Sequence, residues 1–313
     1  MNSCSVCLYY LWQQLLIKIF LMKHTPIEPS ELIINNDGSI FHLHLKPEEI
    51  ADTIILVGDP GRVEMVSGFF SKIEIKVSNR EFCTHTGIFN GKRVSVLSTG
   101  IGTDNIDIVV NELDALVNID LKTRIPKEKH SGLKLIRLGT SGGLQREVVV
   151  DSCLVSKSSI GFDGLLNYYA NRNQFSNLAF EKAFKEHMNW NPLLPSPYVV
   201  DCCNELFEKA GKGMMSGVNI SASGFYGPQG RVLRLPIADP DINDKIEKFR
   251  FEGRKITNYE MESSALYGLS KLLGHHALTI CAIIANRVTK TYSKDYHPIV
   301  KKLVEQTLQR LTE

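Results

Sequence analysis

The sequence has almost no excess charge of either sign, since 36 Lys and Arg residues face 34 Asp and Glu residues and leave a formal net charge of +2. Proteins that bind nucleic acids or anionic membranes usually carry a strongly basic surface, so this balance favours neither partner. Hydrophobic residues make up 43% of the chain and charged residues 22%, which is typical of a globular protein. A length of 313 residues suits one large α/β domain or two small domains.

Cysteines are also sparse, with seven scattered along the chain. This density is too low for a small fold held together by disulfide bonds, which favours a reduced, intracellular protein. Cys4 and Cys7 have no second pair of metal ligands near them, and the histidines show no metal-binding spacing. We therefore expect a cytoplasmic protein without a bound metal.

No hydrophobic run is long enough to predict a membrane span. The apolar segment Leu8 to Met22 is interrupted by polar residues and is shorter than the roughly 20 residues that a transmembrane helix needs. It also lacks the basic leader and the cleavage site of a secretory signal. We expect residues 1–21 to be an upstream extension, residues 1–38 to form a poorly ordered N-terminal extension, and residues 39–313 to form the folded domain.

A glycine-rich segment follows one predicted buried strand. The apolar run Leu133 to Leu138 predicts the strand, contains Arg137 and continues into Gly139-Thr140-Ser141-Gly142-Gly143. A glycine turn allows a ligand to approach the backbone closely and can form an anion-binding nest, at which Arg137 would point. The alternative is an ordinary glycine turn whose arginine pairs with a surface carboxylate, and this segment alone leaves both interpretations open.

A second anion-binding position is predicted near residue 60. The run Thr53 to Val57 predicts a buried strand, and Asp59 and Pro60 suit the cap and the first position of a following helix. Gly58 then lies at the strand-to-helix turn and Arg62 in the first helical turn. Free backbone N–H groups and the positive end of the helix dipole favour an anion there. A plain strand-to-helix connection would explain the glycine and the proline but not the arginine.

Other segments indicate alternating strands and helices. The strand-like runs Phe82 to Phe89 and Arg93 to Ser98 flank Asn90-Gly91, a strong hairpin signal. Helices are predicted after an Asp104 cap, over Val199 to Ala210, from Asn258 to about Leu273, and over Pro298 to Leu311. There is no internal repeat. This order predicts a single α/β domain with a central, largely parallel sheet.

The loop Ser223 to Arg231 contains side chains suited to a planar heterocycle. An aromatic ring such as Phe225 can stack on one face of the ring system, while Gln229 and Arg231 offer an amide and a guanidinium for its edge. The alternative is a surface turn whose aromatic residues pack inward.

Six short segments together resemble one family. They occur in the same order along the chain: Val57 to Arg62, Asn79 to Phe82, Ser98 to Gly102, Arg137 to Thr140, Phe225 to Arg231, and Asn258 to Glu262. This set resembles the nucleoside phosphorylase family, and most closely its uridine-cleaving members, from about Phe41 to the C-terminus. The resemblance implies a three-layer α/β/α fold around a mixed, largely parallel sheet.

The resemblance also implies a role for individual residues. The phosphate-binding positions are Gly58, Arg62, Arg137, Thr140 and, from the neighbouring subunit, Arg80. The ribose-binding positions are Thr140, Met261, Glu262 and, across a dimer interface, His42. The base-binding positions are Phe225, Gln229, Arg231 and Arg287. The residues expected to act in catalysis are Arg137, Gln229, Arg231 and Glu262.

Base preference and cation binding are the points at which this sequence departs from some relatives. Purine-specific relatives carry a Ser-Asp pair where this chain has Asn286 and Arg287, so a pyrimidine is expected. The segment Thr103 to Asn105 differs from the family pattern, so the monovalent cation that some members hold would be an open question near Glu81.

The expected reaction is the reversible phosphorolysis of uridine, and of deoxyuridine or thymidine as further substrates, to uracil or thymine and a pentose 1-phosphate. Inorganic phosphate is then a co-substrate, no cofactor is required, and the family implies a homo-oligomer, at least a dimer and usually a hexamer. Three alternatives remain. A nucleosidase of the same fold would use water, a purine nucleoside phosphorylase would take another base, and a non-catalytic protein would bind the nucleoside without turnover.

Overall fold

A computed structural model describes residues 25–313, so the apolar segment Leu8 to Met22 and the predicted extension over residues 1–21 lie outside the described residues. Within the described part of the chain, no helix combines the length and the apolar character needed to cross a membrane.

The strands alternate with helices as predicted. The strands are β1 (Thr53–Val57), β2 (Lys72–Asn79), β3 (Phe82–Phe89), β4 (Lys92–Ser98), β5 (Ile119–Asp120), β6 (Ile125–Pro126), β7 (Lys134–Gly143), β8 (Cys153–Gly161), β9 (Tyr198–Asp201), β10 (Met215–Ser221), β11 (Arg250–Phe251), β12 (Arg254–Glu260), β13 (His276–Asn286) and β14 (Thr291–Tyr292). The α-helices are α1 (Pro60–Ser67), α2 (Thr103–Asn118), α3 (Leu178–Met188), α4 (Asn204–Leu206), α5 (Ile242–Lys248), α6 (Ser263–Leu272) and α7 (His297–Thr312). Short 3₁₀ turns occur at Pro47–Glu49, Leu165–Tyr168, Arg172–Gln174 and Gly227–Gln229, and a π turn at Phe207–Gly211.

The main sheet is mixed, as predicted. Its order is β11-β12-β10-β8-β13-β7-β1-β4-β3-β2, with β9 and β14 added beside β8 and β13. Parallel pairing joins β1 to β4 and β7, β10 to β8 and β12, and β13 to β7. Antiparallel pairing joins β8 to β13 and adds the hairpin strands β2, β3 and β4 at one edge.

One further pairing gives the sheet a feature that a simple three-layer description does not contain. The end of β12 pairs antiparallel with the end of β7, at Tyr259–Gly142 and Asn258–Gly143. Because β12 also joins β7 through β10, β8 and β13, these five strands close into a ring. The closure brings the carboxyl end of β12 beside the carboxyl end of β7, and both ends carry predicted site residues.

Helices cover both faces of the sheet because its central strands are apolar on both sides. In β1, Ile54 and Leu56 belong to the core cluster that includes α2 and α6, whereas Ile55 and Val57 belong to the cluster that includes α1 and α7. Successive side chains of a strand point to opposite faces, so one continuous apolar run serves both clusters. Burying each such side chain contributes about 1.5–3 kcal/mol.

The described part of the predicted N-terminal extension, residues 25–38, packs onto this body. Leu32 is buried in the same apolar cluster as Ile40. The backbone N–H of Ile27 donates to the carbonyl of Arg124 at 2.8 Å, and Ile34 forms an antiparallel bridge with Ile40. The packed body of residues 25–313 therefore begins before residue 39.

Several local predictions are confirmed. The hairpin β3–β4 turns at Asn90 and Gly91, both of which have positive φ (47° and 73°). Asp59 caps α1, since its carboxylate accepts a hydrogen bond from the N–H of Gly61 at 2.9 Å, and Pro60 is the first helical residue.

Other local predictions are wrong. Asp104 does not cap α2, because Gly102 occupies the cap position with φ 99°. The predicted helix over residues 199–210 is wrong in its first part, where Tyr198–Asp201 forms β9 and pairs antiparallel with β8, whereas helical turns do follow at Asn204–Leu206 and Phe207–Gly211. Asn258 to Glu260 form the end of β12, and the helix opens only at Ser263.

Candidate active site

A cavity of about 860 Å³ lies where the carboxyl ends of β1, β7, β12 and β13 meet. In α/β sheets, ligands bind in the crevice outside the carboxyl ends of the strands, at such a position. The cavity wall contains nine of the residues that the sequence predicted for the site: Gly58, Arg62, Arg137, Thr140, Phe225, Gln229, Arg231, Met261 and Glu262. Residues from four distant parts of the chain thus converge on one space.

The centre of the cavity wall is a buried cluster of one guanidinium and two carboxylates. An Nη2–H of Arg137 donates a hydrogen bond to Glu262 Oε2, and Arg137 Nη1 lies 3.5 Å from Glu260 Oε2. The second carboxylate oxygen of Glu262 accepts from the backbone N–H of Gly102 at 2.8 Å. The Nε of Arg137 has no hydrogen-bond partner among residues 25–313, although the side chain is only 6% exposed.

The neighbouring carboxylates keep the Arg137 guanidinium charged. Burial alone would lower the pKa of Arg137, but the carboxylates of Glu262 and Glu260 raise the pKa above its usual value, so the guanidinium keeps its proton. Burial raises the pKa of Glu262, an effect that the Arg137 charge opposes. Cys281, beside Arg137 Nη1 at 3.9 Å, is a neutral thiol because burial raises its pKa to about 12. Removing Arg137 would leave two carboxylates without a counter-charge in the protein interior.

The predicted glycine turn after Arg137 is wrong, because Gly139–Gly143 continue β7. They pair in parallel with β13, from Gly139 opposite Cys281 to Gly143 opposite Asn286, and Gly142 also pairs with Tyr259. The segment is therefore a strand and does not form a turn-type anion nest. Arg137 and Thr140, which lie in the middle of β7, still line the cavity.

The anion-binding position predicted near residue 60 does lie in the cavity wall. Gly58 follows β1, and Arg62 lies in the first turn of the eight-residue helix α1, whose N-terminus faces the same space. Both residues line the cavity together with Arg137 and Thr140. The helix N-terminus and the two arginine side chains are the groups at this end of the cavity that favour an oxyanion.

The other end of the cavity is built around Gln229, which is buried (3% exposed). Its Oε1 accepts from Arg231 Nη1 at 2.6 Å and from Arg287 Nη2 at 3.1 Å, and Arg287 Nη1 also donates to the Gln229 carbonyl at 2.9 Å. The Nε2 of Gln229 makes no hydrogen bond within residues 25–313. Arg287 therefore holds Gln229, and it makes no direct hydrogen bond to Arg231.

Two guanidinium groups at this end attract electron-rich ligands. Burial and the nearby Arg287 charge lower the pKa of Arg231 to about 10, so it remains protonated at neutral pH. The guanidinium carbon of Arg231 lies 3.6 Å from the centroid of the Phe225 ring, and the ring is half exposed. Arg231 stacks on Phe225 and donates to Gln229, so an aromatic ring, a guanidinium and an amide form one cluster at this end of the cavity.

Asn286, which carried the sequence argument about base preference, does not line the cavity. Its Nδ2 donates to the carbonyls of Gln145 and Val148 at 2.8 and 2.7 Å, and its Oδ1 accepts from the N–H groups of Val288 and Thr289 at 2.9 Å. The side chain is buried and fully occupied by the protein backbone. In this structure Asn286 shapes the turn after β13 and does not face the ligand space.

His42 and Arg80 lie outside this cavity and close to each other. His42 Nδ1 is 2.6 Å from Glu112 Oε1, and Asn79 Nδ2 donates to the His42 carbonyl at 2.8 Å. The Arg80 guanidinium lies 5.7 Å from the centroid of the Phe41 ring, next to His42. These two predicted site residues form a separate surface group in the single chain.

Some residues of the cavity wall were not predicted. Glu260 was given no role from the sequence. Tyr292, Ser293 and Tyr296 also line the cavity, and they come from the segment after β13. The short strand β14 folds this segment back onto β13. A strand of two residues is too short to be predicted from the sequence. Glu81, near the possible cation position, also lines the cavity.

A second cavity of about 910 Å³ adjoins the first and shares Arg231 with it. Its wall is largely apolar, formed by Phe162, the segments 188–195 and 233–239, and Ile242. It contains no buried ion pair or carboxylate cluster of the kind described above. The smaller cavity is therefore the candidate active site.

Comparison with known proteins identifies the family of the chain. The sequence profile of the phosphorylase superfamily matches residues 52–313. A uridine phosphorylase of Thermococcus kodakarensis is 28% identical over 264 residues, which cover 82% of this chain and 81% of that protein. A DeoD-type purine nucleoside phosphorylase of Listeria welshimeri is 29% identical over 244 residues, covering 77% and 85%. A Trypanosoma brucei nucleoside phosphorylase whose crystal structure is described as showing uridine phosphorylase activity superposes with a TM-score of 0.78 at 29% identity, covering 90% of this chain and 99% of that one.

Proposed function

Because the chain belongs to the phosphorylase superfamily, we propose that it is a uridine phosphorylase, which cleaves uridine with inorganic phosphate to uracil and ribose 1-phosphate in a reversible reaction. The similarity to the uridine phosphorylase of T. kodakarensis and to the T. brucei enzyme supports a uridine substrate. The observation that carries the proposal is the arrangement of one cavity with arginines at both ends and a buried carboxylate, Glu262, between them.

The phosphate end supplies the nucleophile. A phosphate held by Arg62, Arg137 and Thr140 would lie beneath C1′ of the ribose, whose hydroxyls donate hydrogen bonds to Glu262. Glycosyl transfer passes through an oxocarbenium-like transition state, so the anionic phosphate stabilises the positive charge that develops on the sugar. A C–O bond to C1′ forms as the C1′–N1 bond breaks.

The base end stabilises the leaving group. Uracil departs with the electron pair of the broken bond, and its negative charge spreads over N1, O2 and O4. The Arg231 guanidinium and the Gln229 Nε2 amide are donors for those atoms, and Arg287 holds Gln229 in place. Preorganised donors of this kind usually contribute about 10²–10³-fold to turnover each.

We further propose that the protein is a homo-oligomer, at least a dimer and, by resemblance to the family, a hexamer. The position of His42 and Arg80 supports this, since both are predicted site residues and both lie away from the cavity of their own chain. A neighbouring copy would receive Arg80 at its phosphate and His42 at its ribose 5′ hydroxyl.

The test is the release of free base from uridine, measured with and without inorganic phosphate. We expect uracil to appear only with phosphate and to accumulate together with ribose 1-phosphate. Arg231→Ala should lose about 10²–10³-fold in turnover while remaining folded, because one donor to the leaving uracil is removed. Release at equal rates without phosphate would instead identify a nucleosidase, and binding without release would identify a non-catalytic nucleoside-binding protein.

A purine nucleoside phosphorylase is the second candidate. The Listeria relative of that name is as similar to this chain as the uridine phosphorylase is, and Asn286 does not face the cavity, so it gives no direct selection against purines. Inosine in the same phosphate-dependent assay separates the two. If inosine is cleaved faster than uridine, the protein is a purine nucleoside phosphorylase and the first proposal is wrong. Assays of deoxyuridine and thymidine in parallel would show which sugars and bases are accepted.

A further inference from the structure

Glu260 has no assigned role in the proposed reaction, yet it is the most completely engaged acidic side chain of the cavity wall. It is the last residue of β12, and its side chain is 1% exposed. One carboxylate oxygen accepts from the Ser221 hydroxyl and the Ser263 N–H, and the other accepts from the N–H groups of Glu262 and Ser263, each at 2.9 Å. Glu260 is thus fixed by groups from two strands and a helix.

These contacts connect Glu260 to both predicted ligands. Its bonds to the N–H groups of Glu262 and Ser263 hold the turn into α6, and that turn sets the direction of the Glu262 side chain. On its other side, Glu260 Oε2 lies 3.5 Å from Arg137 Nη1. One carboxylate therefore anchors the group expected at the ribose and the group expected at the phosphate.

Glu260 and Glu262 differ in how freely each can release Arg137. Glu260 has donors from Ser221, Glu262 and Ser263 besides Arg137. Besides Arg137, Glu262 accepts a side-chain hydrogen bond from the Gly102 N–H. A phosphate that approaches Arg137 competes with Glu262, whereas Glu260 can stay in place and keep the guanidinium aligned.

We propose that Glu260 is a positioning residue, which fixes Arg137 and the turn before α6 while Glu262 exchanges Arg137 for the ribose hydroxyls. This inference rests on the proposed function. Misplacing a reacting group by about 1 Å can cost on the order of 10²-fold in rate. Loss of Glu260 should therefore affect phosphate use more than it affects folding.

The experiment compares Glu260→Gln with Glu260→Asp and with the surface control Glu147→Gln, whose carboxylate pairs with Lys255. The KM for phosphate and kcat are measured at saturating uridine, together with the unfolding temperature and the calorimetric affinity for inorganic phosphate. We expect Glu260→Gln to raise the KM for phosphate and to lower kcat/KM by about 10²-fold. The aspartate, which keeps the charge, should recover part of the loss, and the control should match the wild type.

A folded Glu260→Gln protein with wild-type kcat and phosphate KM would overturn the inference, as would a loss explained entirely by a smaller folded fraction. If Glu260→Gln does not fold, Ser221→Ala removes a single bond to Glu260 and should still raise the phosphate KM several-fold, so an unchanged KM there would also overturn it. A wild-type protein that fails to release uracil would refute the proposed function instead, and phosphate calorimetry would still test Glu260.

Discussion

Asn286 makes four hydrogen bonds to backbone groups, two as a donor and two as an acceptor. The donor bonds require an amide, because the two carbonyl oxygens of Gln145 and Val148 have nothing to accept from a carboxylate. An asparagine at this position is therefore explained by the local structure of the turn after β13. Its identity alone does not determine which base the cavity accepts.

Asn286→Asp should destabilise the fold. The aspartate would place a negative oxygen against two carbonyl oxygens, so the free energy of unfolding should fall by at least about 1–3 kcal/mol. Urea denaturation measures this, with Asn191→Asp as the control, because the Asn191 side chain only accepts a hydrogen bond, from the N–H of Leu193. Equal stability of both variants would show that the four bonds of Asn286 contribute little.

The sequence predicted residue types at the site better than their partners. Arg137 could be named because an arginine within an apolar strand is unusual. Glu262 could be named because it belongs to a segment that resembles the family. Their mutual ion pair could not be predicted, since 125 residues separate them along the chain. The bond from Arg287 to Gln229 was missed for the same reason, and Glu260 was hidden by its ordinary place near a helix start.

At the scale of elements, β7 contributes most to the site. It carries Arg137 and Thr140, lies between β1 and β13, and pairs with β12 at its end. Gly139 leaves room for the Arg137 side chain to lie along the strand over residue 139, because a Cβ there would be 2.2 Å from Arg137 Nη1. The glycine thus leaves room for a side chain and does not form a turn.

Gly139→Ala and Gly87→Ala make a matched pair of strand substitutions. At residue 139 the new Cβ would press on the Arg137 guanidinium, so we expect a higher KM for phosphate and a smaller drop in unfolding temperature than at residue 87. At residue 87, in β3, the new Cβ would lie 2.2 Å from the backbone oxygen of Lys72 in the neighbouring strand. There we expect a lower unfolding temperature, because backbone cannot move aside cheaply.

The reverse outcome, in which Gly139→Ala melts early and keeps its phosphate KM, would contradict the role given to Gly139. Steady-state kinetics and thermal unfolding monitored by circular dichroism provide both readouts.

Elements with strong local signals were predictable, and elements defined by distant pairing were not. β1, the β3–β4 hairpin and α7 follow from an apolar run, an Asn-Gly turn and helical spacing. β9 was read as a helix because its pairing with β8 lies about 40 residues away. The glycines of β7 suggested a turn because their partners in β12 and β13 cannot be seen from the segment itself.

At the scale of the whole molecule, ring closure explains why two distant parts of the chain meet at the cavity. The β12–β7 pairing brings the strand that ends at Glu260 beside the strand that carries Arg137 and Thr140. Alternating strands and helices predicted an α/β fold, but they contain no signal for this closure. In the proposed oligomer, the surface group of His42 and Arg80 would complete the site of a neighbouring chain.

Mixing two inactive variants tests whether neighbouring copies complete each other's sites. Arg80→Ala and Arg137→Ala should each have little activity alone. In a mixed oligomer, some cavities would combine an intact Arg137 with an intact Arg80 from the neighbour. Co-expression of the two variants should therefore restore measurable uridine phosphorolysis, with each variant expressed alone as the control. Activity no higher than that of the separate variants would argue that Arg80 does not act across an interface.

The most direct measurement is a crystal structure of the protein with inorganic phosphate and uracil. The phosphate should lie within hydrogen-bonding distance, about 3.2 Å, of Arg62 and Arg137, and the edge of the uracil should contact Gln229 and Arg231 in the same cavity. A phosphate bound elsewhere while the Arg137–Glu262 pair stays closed, or a uracil that avoids Gln229, would contradict the account.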